Sequence, residues 1–184
     1  MWFRITIQYG VQMVFARTKL LIWDYIFEPV KDIRISYIGP HPEKFYRKIN
    51  EFIRSVFNVP DAYVQEKSYN VEKGKDTERF EIDWEVNKIL DVFTYITVEL
   101  TLRGFSTAGE GKVDIRIRPR LITEYPQDTI WQQSIIYEIF RRFWHKRFYH
   151  HKRMEYLNLG KELVVSFEKA VKNYMEELKS GKVE

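Results

Sequence analysis

The chain has 184 residues, 45% of them apolar and 30% charged, with a net charge of +4. That length falls within the roughly 100–200 residues of one domain, and the apolar share excludes a mainly disordered chain, which lacks the hydrophobicity to offset its ordering entropy. With no cysteine in the sequence, disulfides, thiolate zinc sites, iron–sulfur clusters and cysteine nucleophiles are ruled out.

Strand signals begin early. Phe3 to Ile7 alternates, and Lys19 to Phe27 is rich in branched and aromatic residues, which predicts strands in the opening segment. The longest uncharged run, Ile5 to Ala16, falls short of the about 17–25 apolar residues of a spanning helix. The start also lacks the clean apolar stretch and cleavage site of a secretory signal, so a cytoplasmic protein is expected. Abundant Lys, Arg and Glu without cysteine suits a heat-adapted source. Ile33, Ile35 and Tyr37 alternate with Arg34 and Ser36 until Gly39-Pro40-His41-Pro42 stops the strand, because proline cannot donate to a ladder. Phe45, Ile49, Phe52, Ile53, Val56 and Phe57 then recur at helical spacing, predicting a helix buried along one face.

From Pro60 to Pro126 the pattern is that of a four-stranded antiparallel meander. Phe80, Ile82, Trp84 and Val86 share one face of a strand. Ile96, Val98, Leu100 and Leu102 share a face of the next, and Val113, Ile115, Ile117 and Leu121 of the last. A period of two turns these groups toward a core and the intervening charges toward water. Residues 127–180 read as the helical C-terminal part, with Asp128 or Thr129 as its cap. Trp131, Ile135, Ile139 and Phe143 form one apolar row, flanked by Ile136 and Phe140. Leu163, Val164, Phe167, Val171, Tyr174, Met175 and Leu178 form another. Gly160 leaves open whether this part is one helix or two, since glycine breaks a helix only weakly.

The expected fold is therefore α+β, a single domain over residues 1–184. An antiparallel sheet, the meander plus one to three N-terminal strands, packs on the early amphipathic helix and on a long C-terminal helix or helices. In element order alone this resembles the helix-grip arrangement of lipid-transfer and polyketide-cyclase-like proteins, which implies a ligand cavity but carries no site residue.

Charge is concentrated in one place. Residues 1–140 hold nineteen basic and twenty acidic side chains, whereas Arg141 to Arg153 holds six basic and no acidic ones. Within that block Arg141, Arg142, His145, Lys146, Tyr149, Lys152 and Arg153 recur at spacings of three and four. On one continuous helix they share a face, with Phe140, Phe143, Trp144 and Phe148 serving the core or its rim. Clustered cations neutralise phosphates, and Tyr149 and Trp144 offer stacking surfaces for bases. The expectation is a non-enzymatic protein whose basic C-terminal helix contacts an anionic partner, RNA foremost. The alternatives are a helix-grip carrier of an apolar small molecule, using Trp23, Trp84, Tyr95 and Trp131, and a protein-interaction module. A large exposed apolar patch would mark the last.

Other constellations point to ordinary structure. Arg116, Arg118 and Arg120 form a second basic row, expected to pair across strands with Glu99, Glu81, Asp83 or Glu85. Those acids, spaced for one strand face, lack the divergent surroundings of a catalytic pair. The four histidines do not converge as metal ligands. No Gly-rich phosphate loop or nucleophile elbow is present. No catalytic residue, metal or cofactor is assigned.

Overall fold

The structure is a computed structural model that describes residues 18–127, 129, 131–132, 134–144, 147 and 149–181. It is an α+β fold built on one six-stranded antiparallel sheet. The strands are β1 (Thr18–Tyr25), β2 (Ile33–Pro40), β3 (Val64–Lys73), β4 (Thr77–Ile89), β5 (Thr94–Thr107) and β6 (Glu110–Gln127). The helices are α1 (Phe45–Phe57), α2 (Ile135–Trp144) and α3 (His150–Lys179). Strands β3 to β6 form the expected meander, and β1 and β2 both pair with β6. The strand expected over Phe3 to Ile7 lies outside the described residues.

Strand β6 serves as a rail for two edge strands laid end to end. Its Glu110–Ile117 segment pairs with β2, and its Arg120–Gln127 segment pairs with β1. Pro119 sits between them. Its carbonyl accepts the Ile26 N–H at 3.3 Å. N–H and C=O of one strand residue point to the same side, so the donor that proline lacks falls at the gap between β1 and β2. The proline thereby forgoes a bond at the gap and keeps its pairing with Val98 of β5.

Turn chemistry delimits the meander. Ala108 and Gly109 both have positive φ, 52° and 84°, in the two-residue hairpin between β5 and β6, where the primed turn follows the strand twist. Asp91 closes the β4–β5 turn, its Oδ1 accepting the N–H groups of Phe93 and Thr94, each at 2.8 Å.

The inner sheet face meets α1 and α3. Ile82, Trp84, Ile96, Val98, Leu100, Ile115 and Ile117 are all buried, as are Phe45, Ile49, Ile53 and Phe57 of α1 and Val164, Phe167, Val171 and Leu178 of α3. The helices lock through aromatic contacts, Phe57 with Phe167 at 5.5 Å and Phe45 with Tyr174 at 5.3 Å between ring centroids. Offset and edge-on pairs of this kind stabilise beyond the area they bury. Gly160 lies inside α3 without interrupting it. A β-carbon there would come within 2.6 Å of Ile26 Cδ1 and 3.3 Å of Ile96 Cδ1, so the missing side chain sets how closely α3 approaches the sheet. The C-terminal part thus carries two α-helices with π-helical Arg147 and Tyr149 between them, and Gly160 does not divide α3.

Candidate functional site

The outer sheet face accounts for the second basic row. Arg118 pairs with Asp32 at 2.6 Å and lies 3.7 Å from Glu99, while Arg120 also pairs with Glu99. Arg116 donates to the Thr101 hydroxyl at 3.2 Å, and that hydroxyl donates to Asp83 at 2.6 Å. Hydrogen bonding from Arg118 holds the Asp32 carboxyl below the usual range against the opposing effect of burial. Glu81 pairs with Arg103, and Glu85 accepts from Asn87 at 3.0 Å and pairs with Lys67 at 3.3 Å. The expected cross-strand pairing is present for Glu99, with Asp32 an additional partner that spacing did not indicate.

At the other end of the molecule, the start of α3 and the end of the sheet share a polar network. Arg153 is buried and donates from Nε and Nη2 to Asp24 Oδ2 of β1 at 3.0 and 2.7 Å, and also to the Thr123 hydroxyl and the Leu121 carbonyl of β6. Asp91 Oδ2 accepts the hydroxyls of Tyr149 at 2.7 Å and Tyr156 at 3.0 Å. Tyr149 also bonds to Thr94, which bonds to Thr123 at 3.1 Å. Burial pushes the Asp91 pKa upward, but hydrogen bonds from Tyr149, the Phe93 backbone, Tyr156 and the Thr94 backbone outweigh it, and the net shift is downward. The same carboxylate, with burial as the larger cause, raises the Tyr149 hydroxyl.

Helix α2 is attached through its polar side. Ser134 caps it, Oγ accepting the Tyr137 N–H at 3.2 Å. Thr129 instead makes a reciprocal pair with Gln132 one turn earlier, at 3.1 and 3.2 Å, the two-way bonding of a capping box. Arg141 is buried, pairs with Glu138 at 3.2 Å, and lies over the Tyr125 ring at 5.7 Å. Its Nη1 is buried without a hydrogen-bond partner. The opposite side of α2 is apolar and faces solvent: Ile135 is 80% exposed, Ile139 62% and Phe140 68%. Phe143 and Trp144 are exposed as well. Of the aromatics expected to serve the core or its rim, Phe140, Phe143 and Trp144 are exposed instead, and Phe148 lies outside the described residues; Arg141 is the α2 cation turned to the protein.

The seven candidate anion-binding residues separate into groups. Arg141, Tyr149 and Arg153 face inward and are engaged by Tyr125, Asp91 and Asp24. Arg142 and Lys152 face outward, the first 3.1 Å from Glu138 and the second 5.8 Å from the Tyr156 ring centroid. His145 and Lys146 lie outside the described residues. Arg147, omitted from the stripe although it belongs to the same basic block, is exposed. The two basic rows occupy opposite sides of the sheet, so they do not combine into one surface. The four aromatics proposed for a ligand pocket are also dispersed. Trp84 is buried against Tyr46 of α1, Tyr95 bonds to Glu124 on the outer face, and Trp23 and Trp131 are exposed.

Among the described residues, no group of three or more His, Asp or Glu side chains is placed to hold a metal ion, and no helix is long and apolar enough to cross a membrane. In comparisons with known proteins, no family model and no curated protein matches the chain.

Proposed function

We propose that this chain is a non-enzymatic, cytoplasmic binding protein whose α2–α3 corner docks on an anionic partner. The observation that carries this reading is the pairing of two exposed features at one corner. The apolar side of α2 is turned to solvent, and Arg142, Arg147 and Lys152, within α2 or after it in the chain, are exposed. Contiguous exposed apolar surface marks a contact site, and concentrated positive charge selects partners of opposite sign. RNA, the partner suggested by the sequence, would meet these three cations; Arg141 and Arg153 would act from behind by holding α2 and α3 in place. The interaction-module reading shares the same apolar face and differs in the chemistry of what covers it.

Retention on immobilised heparin tests the corner. Replacing Arg142, Arg147 and Lys152 together with Gln should lower the eluting salt concentration well below that of a control replacing Arg34, Arg79 and Lys169. Both variants lose the same charge, so equal elution would assign binding to net charge and overturn the proposed site.

A further inference from the structure

We infer that the anionic partner is a lipid bilayer surface, with α2 lying in the plane of its headgroups. This rests on the docking reading above and names the partner of the same site. Helix α2 has ten residues, roughly 15 Å at 1.5 Å per residue, about half the thickness of a hydrocarbon core. It is too short to cross and long enough to lie along an interface. Its outward side carries Ile135, Ile136, Ile139 and Phe140, each more than half exposed, a width of apolar surface that matches the boundary between headgroups and acyl chains. Trp131, 59% exposed just before the helix, is of the residue type enriched at headgroup level.

Charge complementarity selects the lipid class. Arg142, Arg147 and Lys152 are exposed at or just after the C-terminal end of α2, placed to meet anionic headgroups while the isoleucines enter the apolar layer. Two other occupants fit less well. Single-stranded RNA stacks its bases on aromatic faces and offers no apolar layer to Ile135, Ile136 and Ile139, each more than half exposed. A second copy docked through the same patch would form an isologous contact and bring two equally basic corners together, which like-charge repulsion opposes.

The test uses the full chain and two kinds of vesicle, phosphatidylcholine alone and phosphatidylcholine with one-third phosphatidylglycerol, read by co-sedimentation and tryptophan emission. The wild type should bind the anionic vesicles, with a blue shift in emission, and bind the neutral ones far more weakly. Replacing Arg142, Arg147 and Lys152 with Gln should weaken anionic-vesicle binding on the order of a hundredfold, about fivefold for each cation. Ile139→Asp should weaken it more than tenfold with the thermal unfolding midpoint unchanged; Ile136→Gln replaces it should Ile139→Asp unfold. No vesicle binding, but salt-dependent binding to a single-stranded RNA oligonucleotide that the triple variant loses, would overturn the lipid assignment and leave the docking reading standing. A monomer–dimer equilibrium abolished by Ile139→Asp, without binding to vesicles or RNA, would overturn both.

Discussion

Helices α2 and α3 carry apolar rows of the same helical spacing and face opposite ways. In α3 the row of Val164, Phe167 and Val171 is fully buried against the sheet and α1, whereas in α2 the row of Ile135, Ile139 and Phe143 points to solvent. An amphipathic helix buries its apolar side where an apolar surface awaits it. The inner sheet face supplies that surface to α3. Helix α2, beyond the end of β6, meets Tyr125 through Arg141, and Ile135, Ile136, Ile139 and Phe140 on its apolar side are exposed.

The largest expected effect is on the α3 side of this contrast. Phe167→Ala removes a ring packed against Phe57 and should cost about 3–5 kcal/mol in chemical denaturation. A loss below about 1 kcal/mol would mean that the core does not depend on α3, and the contrast would fail.

Asp91→Asn probes the polar joint at the start of α3, with an expected cost of about 2 kcal/mol near neutral pH, the scale of hydrogen bonds to a charged group. The folded Asp91 pKa is depressed. Its stabilisation is therefore complete above the unfolded value of about 3.9 and lost as pH falls through the lower folded value. The stability difference between wild type and variant should shrink accordingly in acid denaturation series. A difference that stays constant would assign the joint to shape instead of charge.

The smallest effect belongs to α2. Ile136→Ser and Ile139→Ser should each change the unfolding free energy of the isolated protein by less than about 0.5 kcal/mol, as for surface positions. A loss above about 1 kcal/mol would show that the α2 row packs within its own chain and would erase the comparison.

These effects also mark how far the sequence could be read. The sheet, α1 and α3 were legible because periods of two and of 3.6 direct Ile82, Leu100, Ile117, Ile49 and Phe167 toward one shared core, where all are buried. The orientation of α2 was not legible, because spacing defines an apolar side without defining what it faces. The basic stripe assumed one uniform α-helix, yet Arg147 and Tyr149, between α2 and α3, are π-helical, and that wider turn shifts the phase of the residues on either side, so they do not keep a common face. Asp24, which engages Arg153, is 129 residues away in the chain, and Asp91, which engages Tyr149, is 58 residues away. Local periodicity holds no record of either pairing.

That separation orders events on the ribosome. Strand β1 pairs with β6, and Asp24 of β1 meets Arg153 across 129 residues. At a synthesis rate of about 5–20 residues per second, on the order of ten seconds pass between the emergence of Asp24 and that of its partner. The meander and α1 are complete before α3 exists, while β1 cannot receive its α3 contact until Arg153 has emerged. Closure of this edge of the sheet is thus timed by α3, and β1 is secured long after it is made.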